Sequence, residues 1–159
     1  MVIIRGTQKL LRRLGSVTGD RFESTTQLGD WLGNLYGVGH KRVVLFISQN
    51  SRLPIVLPGH NLRDIRHQLP LAVGAVLEAL GIPGHAIRSE LDAMADAVVA
   101  PTNSRSLIAT LTDLSYSLKL RLAEEPNANL ISLALWLSVT PMGPMNYRAP
   151  DEVTRELFG

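Results

Sequence analysis

The sequence has no cysteine, which excludes disulfide bonds, thiolate catalysis and zinc or iron–sulfur sites held by cysteine. It also lacks an apolar run long enough to cross a bilayer. Its first residues alternate apolar and basic side chains, without the continuous apolar core of a secretory signal. These absences favour a cytoplasmic protein that has no membrane partner.

Catalytic motifs are missing as well. The sequence contains no G-x-S-x-G, H-E-x-x-H or paired-carboxylate pattern, so a hydrolase interpretation has no starting point. Gly37, Gly39 and Lys41 superficially resemble a phosphate-binding loop. However, Arg42 stands where the dinucleotide template needs glycine, and a strand is predicted to follow instead of a helix. None of these patterns implies a cofactor.

The chain does have the material for a packed core. Of its 159 residues, 45% are hydrophobic and only 19% are charged. A chain of this length and composition can bury a sizeable apolar interior without disulfides or metals. We therefore predict a single domain over residues 1–159.

Residues 30–58 carry the clearest structural pattern, a three-strand antiparallel meander. Residues 43–47 are apolar at every position, which predicts a strand buried on both faces. Turn-forming residues precede and follow this strand, so residues 31–36 and 53–57 should flank it. Pro54 cannot donate a ladder hydrogen bond, which makes the third strand the predicted edge.

The rest of the chain predicts one further strand and several covering helices. Residues 2–4 are short and β-rich, Thr7 is a good N-cap for a short helix that Gly15 ends, and residues 16–29 predict a loop. Apolar residues then recur at helical spacing over residues 62–80, 87–98, 107–122 and 130–137, and a short helix is predicted over 150–158. Pro70 predicts a kink or break at Leu69. The predicted fold class is α+β, a small antiparallel sheet of the meander plus an N-terminal strand, covered by about five helices.

Positive charge is concentrated in the first part of the chain. Residues 1–69 contain ten Lys or Arg against four Asp or Glu, whereas residues 70–159 contain six against ten. Such a split can mark a basic face for nucleic acid, and the alternative is that both parts simply carry solvated faces. The nucleic-acid candidates are Lys9, Arg12, Arg13, Lys41, Arg42 and Arg63.

A second candidate site precedes the longest predicted helix. Its residues are Thr102, Asn103, Ser104, Arg105 and Ser106. Short hydroxyl and amide side chains satisfy the free N–H groups of a first helical turn, and those groups also bind anions. Arg105 adds a bidentate donor for phosphate or carboxylate. Plain N-capping is the alternative, but capping needs one such residue and this segment has several.

A third and weaker candidate is a divalent metal site. His60, Asp64 and His67 are spaced at i, i+4 and i+7, which would stack them on one helix face. Arg63 and Arg66 are interleaved with them and would add positive charge near a cation. A solvated polar face is therefore the preferred interpretation, and the sequence predicts no metal.

Several segments together resemble a family of small bacterial proteins known as a domain of unknown function. The matching pieces are IIRGTQKLL, LGDWLGNL, RVVLFIS followed by LPIVLP, TNSRS with Asp113 after it, and TPMGPMNYRAP. The sequence departs from the family pattern at Ser104, where a second Asn is expected, and at Leu111 and Thr112, where Met-Asn is expected. The resemblance implies a bacterial origin and a free-standing domain, and it brings no activity, cofactor or catalytic residue.

These patterns leave several functional hypotheses open. The first is a non-catalytic binding or interaction module that recognises an anionic group at the helix start after Pro101. The alternatives are a nucleic-acid-binding protein that uses the basic first third, and a metal-assisted enzyme. The partner would be a protein or a nucleic acid, and a subunit acting beside a toxin or mobile-element protein is a further possibility.

Overall fold

The computed structural model describes residues 1–15 and 22–159. Within them the strands are β1 (Val2–Gly6), β2 (Trp31–Val38), β3 (Lys41–Ser48), β4 (Pro54–Pro58) and β5 (Ala97–Pro101). The α-helices are α1 (Gln8–Leu14), α2 (Ile65–Ala79), α3 (Gly84–Met94), α4 (Arg105–Glu124), α5 (Leu130–Leu137) and α6 (Pro150–Phe158). Short 3-10 turns lie at Leu62–Asp64 and Gly143–Met145.

The strands form one mixed sheet in the order β4-β3-β2-β1-β5. The meander is confirmed, because β3 pairs antiparallel with both β2 and β4, and β4 lies at an edge. The wholly antiparallel four-stranded sheet that we predicted is wrong, because β1 pairs parallel with β2 and with β5. Residues 7–30 separate β1 from β2, long enough for the crossover that a parallel pair requires.

Strand β5 was not predicted. The apolar stripe over residues 87–98 extends helical spacing to Val98, but α3 ends at Met94 and Val98 lies in β5, paired with Ile3 of β1. Residues Ala97–Pro101 are Ala, Val, Val, Ala and Pro, and five residues are too few to show the alternation of apolar and polar side chains that identifies a strand. The partner of β5 is distant in sequence, so pairing with β1, and not local propensity, determines its structure.

The centre of the sheet is closely packed. Trp31, Phe46 and Leu45 are fully buried, and Val44 and Ile47 beside them are equally inaccessible. Gly33 makes room for the Phe46 ring, because a Cβ at Gly33 would lie 2.6 Å from Phe46 Cδ1. Gly33 pairs directly with Phe46 across β2 and β3, so the Phe46 ring lies over the glycine and fills the middle of one sheet face.

Helices cover the sheet and one of its edges. Helix α4 packs on β2 and β3, α1 packs on β2, and α2 packs on β4 and α3. Helix α5 contacts β4, α2 and α4, and so covers the β4 edge of the sheet. Pro70 lies inside the single helix α2, which is not divided into two. Among the described residues, no helix is long and apolar enough to cross a membrane.

The segment between α1 and β2 is described from Phe22 onward. The predicted loop over residues 16–29 therefore lies partly outside the described residues. Thr7 occupies the N-cap position of α1, but its hydroxyl hydrogen-bonds to Asn34 Oδ1 on β2 and does not cap the helix. This contact ties the start of α1 to the sheet.

Residues 24–30 are held by buried charges. Arg5 Nε donates to Asp30 Oδ2 at 2.6 Å, and the two side chains are only 8% and 10% exposed. Ser24 Oγ donates to the other Asp30 oxygen at 2.6 Å, and Arg5 Nη1 donates to the Pro101 carbonyl at 3.0 Å. Hydrogen bonding on several sides offsets the cost of removing this pair from water.

Glu90 of α3 is the other buried charge at this segment. Its two carboxylate oxygens accept hydrogen bonds from the backbone N–H groups of Gln27 and Leu28, at 2.7 and 3.1 Å. Burial raises the pKa of Glu90 above its ordinary value, and the two N–H donors partly oppose that shift. Glu90 thus joins α3 to the turn that precedes β2.

Candidate functional site

The predicted basic residues converge at one end of the sheet. Strands β1, β2 and β4 run in the same direction, so the chain leaves each of them toward the β2–β3 turn. Strand β1 ends level with Gly33, and α1 then packs along β2 toward that turn. The segments that follow the three strands are α1 after β1, the β2–β3 turn at Gly39 and His40, and residues 59–63 after β4. They carry, with the first residues of β3, all six nucleic-acid candidates, which we call the basic face: Lys9, Arg12, Arg13, Lys41, Arg42 and Arg63.

Arg42 lies at the centre of the basic face. Its side chain shares one side of the pleat with Leu35 and Gly37 of β2. It lines a cavity of about 420 Å³ with Lys9, Arg12 and Arg13. It also lines a second cavity of about 580 Å³, in which Arg12 and Arg13 meet Arg63. The two cavities therefore join α1, β3 and the Leu62–Asp64 turn into one continuous surface.

The loop after β4 brings Arg63 beside Arg42. The Gly59 N–H donates to the Arg42 carbonyl at 2.7 Å, and a Cβ at Gly59 would lie 2.6 Å from the Arg42 carbonyl carbon. Only glycine allows this approach. Asn61 then adopts a left-handed backbone, with φ of 59°, which asparagine tolerates better than most residues. The chain consequently turns into the 3-10 helix that carries Arg63.

Most of the basic face is not neutralised. Lys9, Arg12, Arg13, Arg42 and Arg63 are exposed, and none forms an ion pair among residues 1–15 and 22–159. Lys41 differs, because its ammonium donates to the Pro126 carbonyl and to Asn127 Oδ1 in the α4–α5 loop. Several like charges on one surface produce a positive potential that attracts polyanions.

The segment before α4 is partly used by the fold. Ser104 Oγ accepts a hydrogen bond from the Leu107 N–H at 3.2 Å and so caps the helix. Ser106 Oγ accepts from Arg52 Nη2 at 2.9 Å. Asn103 and Arg105 are exposed, and Thr102 is partly buried. Plain capping thus accounts for Ser104, and contact with Arg52 accounts for Ser106.

The spacing of His60, Asp64 and His67 does not place them on one helix face. His60 precedes the left-handed Asn61, Asp64 ends the 3-10 turn, and only His67 lies within α2. The prediction of a shared face assumed one continuous helix, which is wrong here because Asn61 changes the backbone direction. Among the described residues, no three His, Cys, Asp or Glu side chains form a group that could hold a metal ion.

An adjoining cavity includes residues that sequence reasoning did not connect with the basic face. It has a volume of about 400 Å³ and lies between the β2–β3 turn and the α4–α5 loop. Its lining residues are His40, Lys41, Arg42, Val43, Pro58, His60, Leu122, Ala128 and Leu130. In the sequence, Leu122 and Leu130 belong to ordinary apolar helix stripes, so no local signal could have identified this cavity.

Comparison with known proteins supplies the family. A family model described as Domain of unknown function (DUF6933) matches residues 3–153. The chain belongs to this family. The resemblance that the sequence motifs indicated is therefore confirmed, while a bacterial origin stays a prediction. No curated protein and no solved structure matches the chain.

The whole basic face of this DUF6933 domain lies inside the matched range, as does the adjoining cavity. The family description assigns no activity, ligand or partner to either.

Proposed function

We propose that this DUF6933 domain binds nucleic acid through its basic face. The observation that supports this proposal is the convergence of Lys9, Arg12, Arg13, Arg42 and Arg63 at one end of the sheet, exposed and without ion pairs among the described residues. Five exposed cations that line two joined cavities match a ligand with repeating negative charge. A nucleic-acid backbone is such a ligand.

The residue types also favour phosphate. Four of the six residues of the basic face are arginines. The guanidinium group is planar and binds a phosphate through two parallel hydrogen bonds, so arginine recognises phosphate more specifically than lysine does. Arg42 is held between the other cations by the backbone contact with Gly59, which orders its main chain before any ligand binds.

The helix start at Thr102–Ser106 has weaker support as an anion site. Ser104 and Ser106 are already engaged, and Arg105 is one cation instead of several. Arg105 therefore serves as a matched control for the basic face. The cytoplasm, as expected from the sequence, is where we propose that binding occurs.

Salt-dependent binding tests the proposal. Fluorescence anisotropy with a labelled thymidine oligonucleotide should give a slope of log affinity against log salt of about −3.5 for five neutralised phosphates on a single strand. The double variant Arg12→Ala/Arg42→Ala removes two contacts. Its slope should be shallower by about 1.4, and its affinity at low salt should fall about tenfold or more.

The control is the double variant Arg88→Ala/Arg105→Ala, which removes the same charge from exposed positions outside the basic face. It should bind with nearly the wild-type slope. Salt-insensitive binding, or a larger loss in the control than in Arg12→Ala/Arg42→Ala, would contradict the proposal. A loss specific to the control would favour the helix start.

A further inference from the structure

The cavity between the β2–β3 turn and the α4–α5 loop has an apolar floor and a polar rim. Val43 and Leu122 are almost fully buried at its base, and Pro58, Ala128 and Leu130 complete the apolar surface. His40, Lys41, Arg42 and His60 lie at the rim, where their side chains are exposed. Its volume of about 400 Å³ falls within the range of small-molecule pockets, about 300–1,000 Å³.

This cavity is continuous with the basic face. Arg42 lines it and also lines both cavities of the basic face, and His60 lines it together with the cavity that contains Arg63. The Arg42 side chain and the recess lie on opposite sides of β3, because Val43 at the base of the recess faces the other side of the pleat. A strand with a phosphate on Arg42 would therefore reach the recess around the end of the sheet, past His60, which lines both this cavity and the one that contains Arg63. A simple phosphate-binding surface needs no such recess.

We propose that this cavity accepts one unpaired base of a bound single strand, whose phosphates lie on the basic face. The inference rests on the proposed function and adds to it a preference for base-bearing single strands. A nucleobase has flat apolar faces and a polar edge, which match an aliphatic floor below a rim of hydrogen-bonding side chains. In a duplex the base faces are stacked and cannot enter.

The rim is ordered in advance of binding. Lys41 is held by the Pro126 carbonyl and by Asn127 Oδ1, which joins the β2–β3 turn to the loop on the opposite side of the cavity. Gly59 fixes the Arg42 backbone on the third side. Because the walls come from three different segments that are already connected, binding of a base requires little additional ordering.

The test compares a labelled thymidine oligonucleotide with an abasic strand of the same length and charge. The wild-type protein should bind the base-bearing strand about tenfold more tightly at equal salt, with the same salt slope for both strands. Ala128→Phe fills the cavity without changing any charge, so it should abolish this difference and leave abasic-strand affinity unchanged. Ala123→Phe places the same side chain on an exposed position of α4 and should keep the difference.

Equal wild-type affinity for the two strands, with salt dependence intact, would overturn the base pocket and leave the basic face standing. A preference that persists in Ala128→Phe would place the base elsewhere and would also overturn the inference. Absence of salt-dependent binding to either strand would overturn both proposals. The comparison of strands on the wild-type protein needs no variant, so the test holds even if Ala128→Phe does not fold.

Discussion

Two regions of this domain use charge in opposite ways. Around residues 24–30, Arg5, Asp30 and Glu90 are buried, and their charged groups hydrogen-bond to partners inside the protein. On the basic face, Arg12 and Arg42 are exposed and form no ion pair within the described residues. The charges of the first region stabilise the fold, whereas those of the second are exposed to solvent.

The difference shows why a charge count is a poor guide to a binding surface. Arg5 adds to the positive balance of residues 1–69 just as Arg42 does, yet Asp30 neutralises it inside the fold. Only the exposed cations can contribute to binding a polyanion. Substitutions in the first region should therefore change stability, and those in the second should change affinity.

Asp30→Ala should have the largest effect on stability. It would remove the carboxylate to which the buried Arg5 guanidinium donates, and removing one partner of a buried ion pair costs about 3–5 kcal/mol. The free energy of unfolding from urea denaturation measures this loss. Glu23→Ala removes an exposed carboxylate from the same segment and is the control. A loss below about 1 kcal/mol in Asp30→Ala would contradict a structural role for the pair.

Glu90→Ala should have an intermediate effect. Its removal would leave the N–H groups of Gln27 and Leu28 without their acceptors, at a cost of about 1–3 kcal/mol. The free energy of unfolding at neutral pH is again the measurement. An unchanged stability would mean that water or other groups replace the carboxylate.

The pH dependence of stability tests the same residue in another way. Burial raises the folded-state pKa of Glu90 above the ordinary value of 4.5, so the folded protein holds this proton more tightly than the unfolded chain does. Its contribution is complete below pH 4.5 and is lost as the pH rises through the raised pKa. As the pH rises from 4.5 through the raised pKa, the free energy of unfolding of the wild type should therefore fall relative to that of Glu90→Gln. A relative stability that rises with pH there would contradict the shift.

Arg12→Ala/Arg42→Ala should have the smallest effect on stability. The two side chains are exposed, and the substitution Arg42→Ala retains the Cβ that lies beside Gly59, so the free energy of unfolding should stay within about 0.5 kcal/mol of wild type. Thermal and urea unfolding of the same double variant that is used for binding measures this. A loss as large as that of Asp30→Ala would remove the distinction between the two regions.

The sequence predicted those features that depend on neighbouring residues. Residues 43–47 are apolar throughout, and the turns beside them are short, so the β2-β3-β4 meander could be predicted locally. Strand β5 could not, because its pairing with β1 joins residues that are far apart in the chain. The position of His60 relative to α2 could not be predicted either, because it depends on the left-handed backbone at Asn61.

The basic face was predicted only as a set of residues. Its charges were identified in the sequence, but their convergence depends on β1, β2 and β4 running in one direction. The close approach of Gly59 to Arg42 could not be predicted from the Pro58-Gly59 pair, which indicates a turn and no more. The adjoining cavity needed α4 and α5 in place, so no local pattern could predict it.

Binding at the basic face is the central claim, and mapping the bound strand by NMR tests it most directly. Backbone amide shifts of the isotope-labelled protein would be followed during titration with a thymidine oligonucleotide at low salt. The largest changes should occur at Arg12, Arg42 and residues 59–63, and they should reverse when salt is added. Changes confined to residues 102–106, or no changes at saturating oligonucleotide, would contradict the claim.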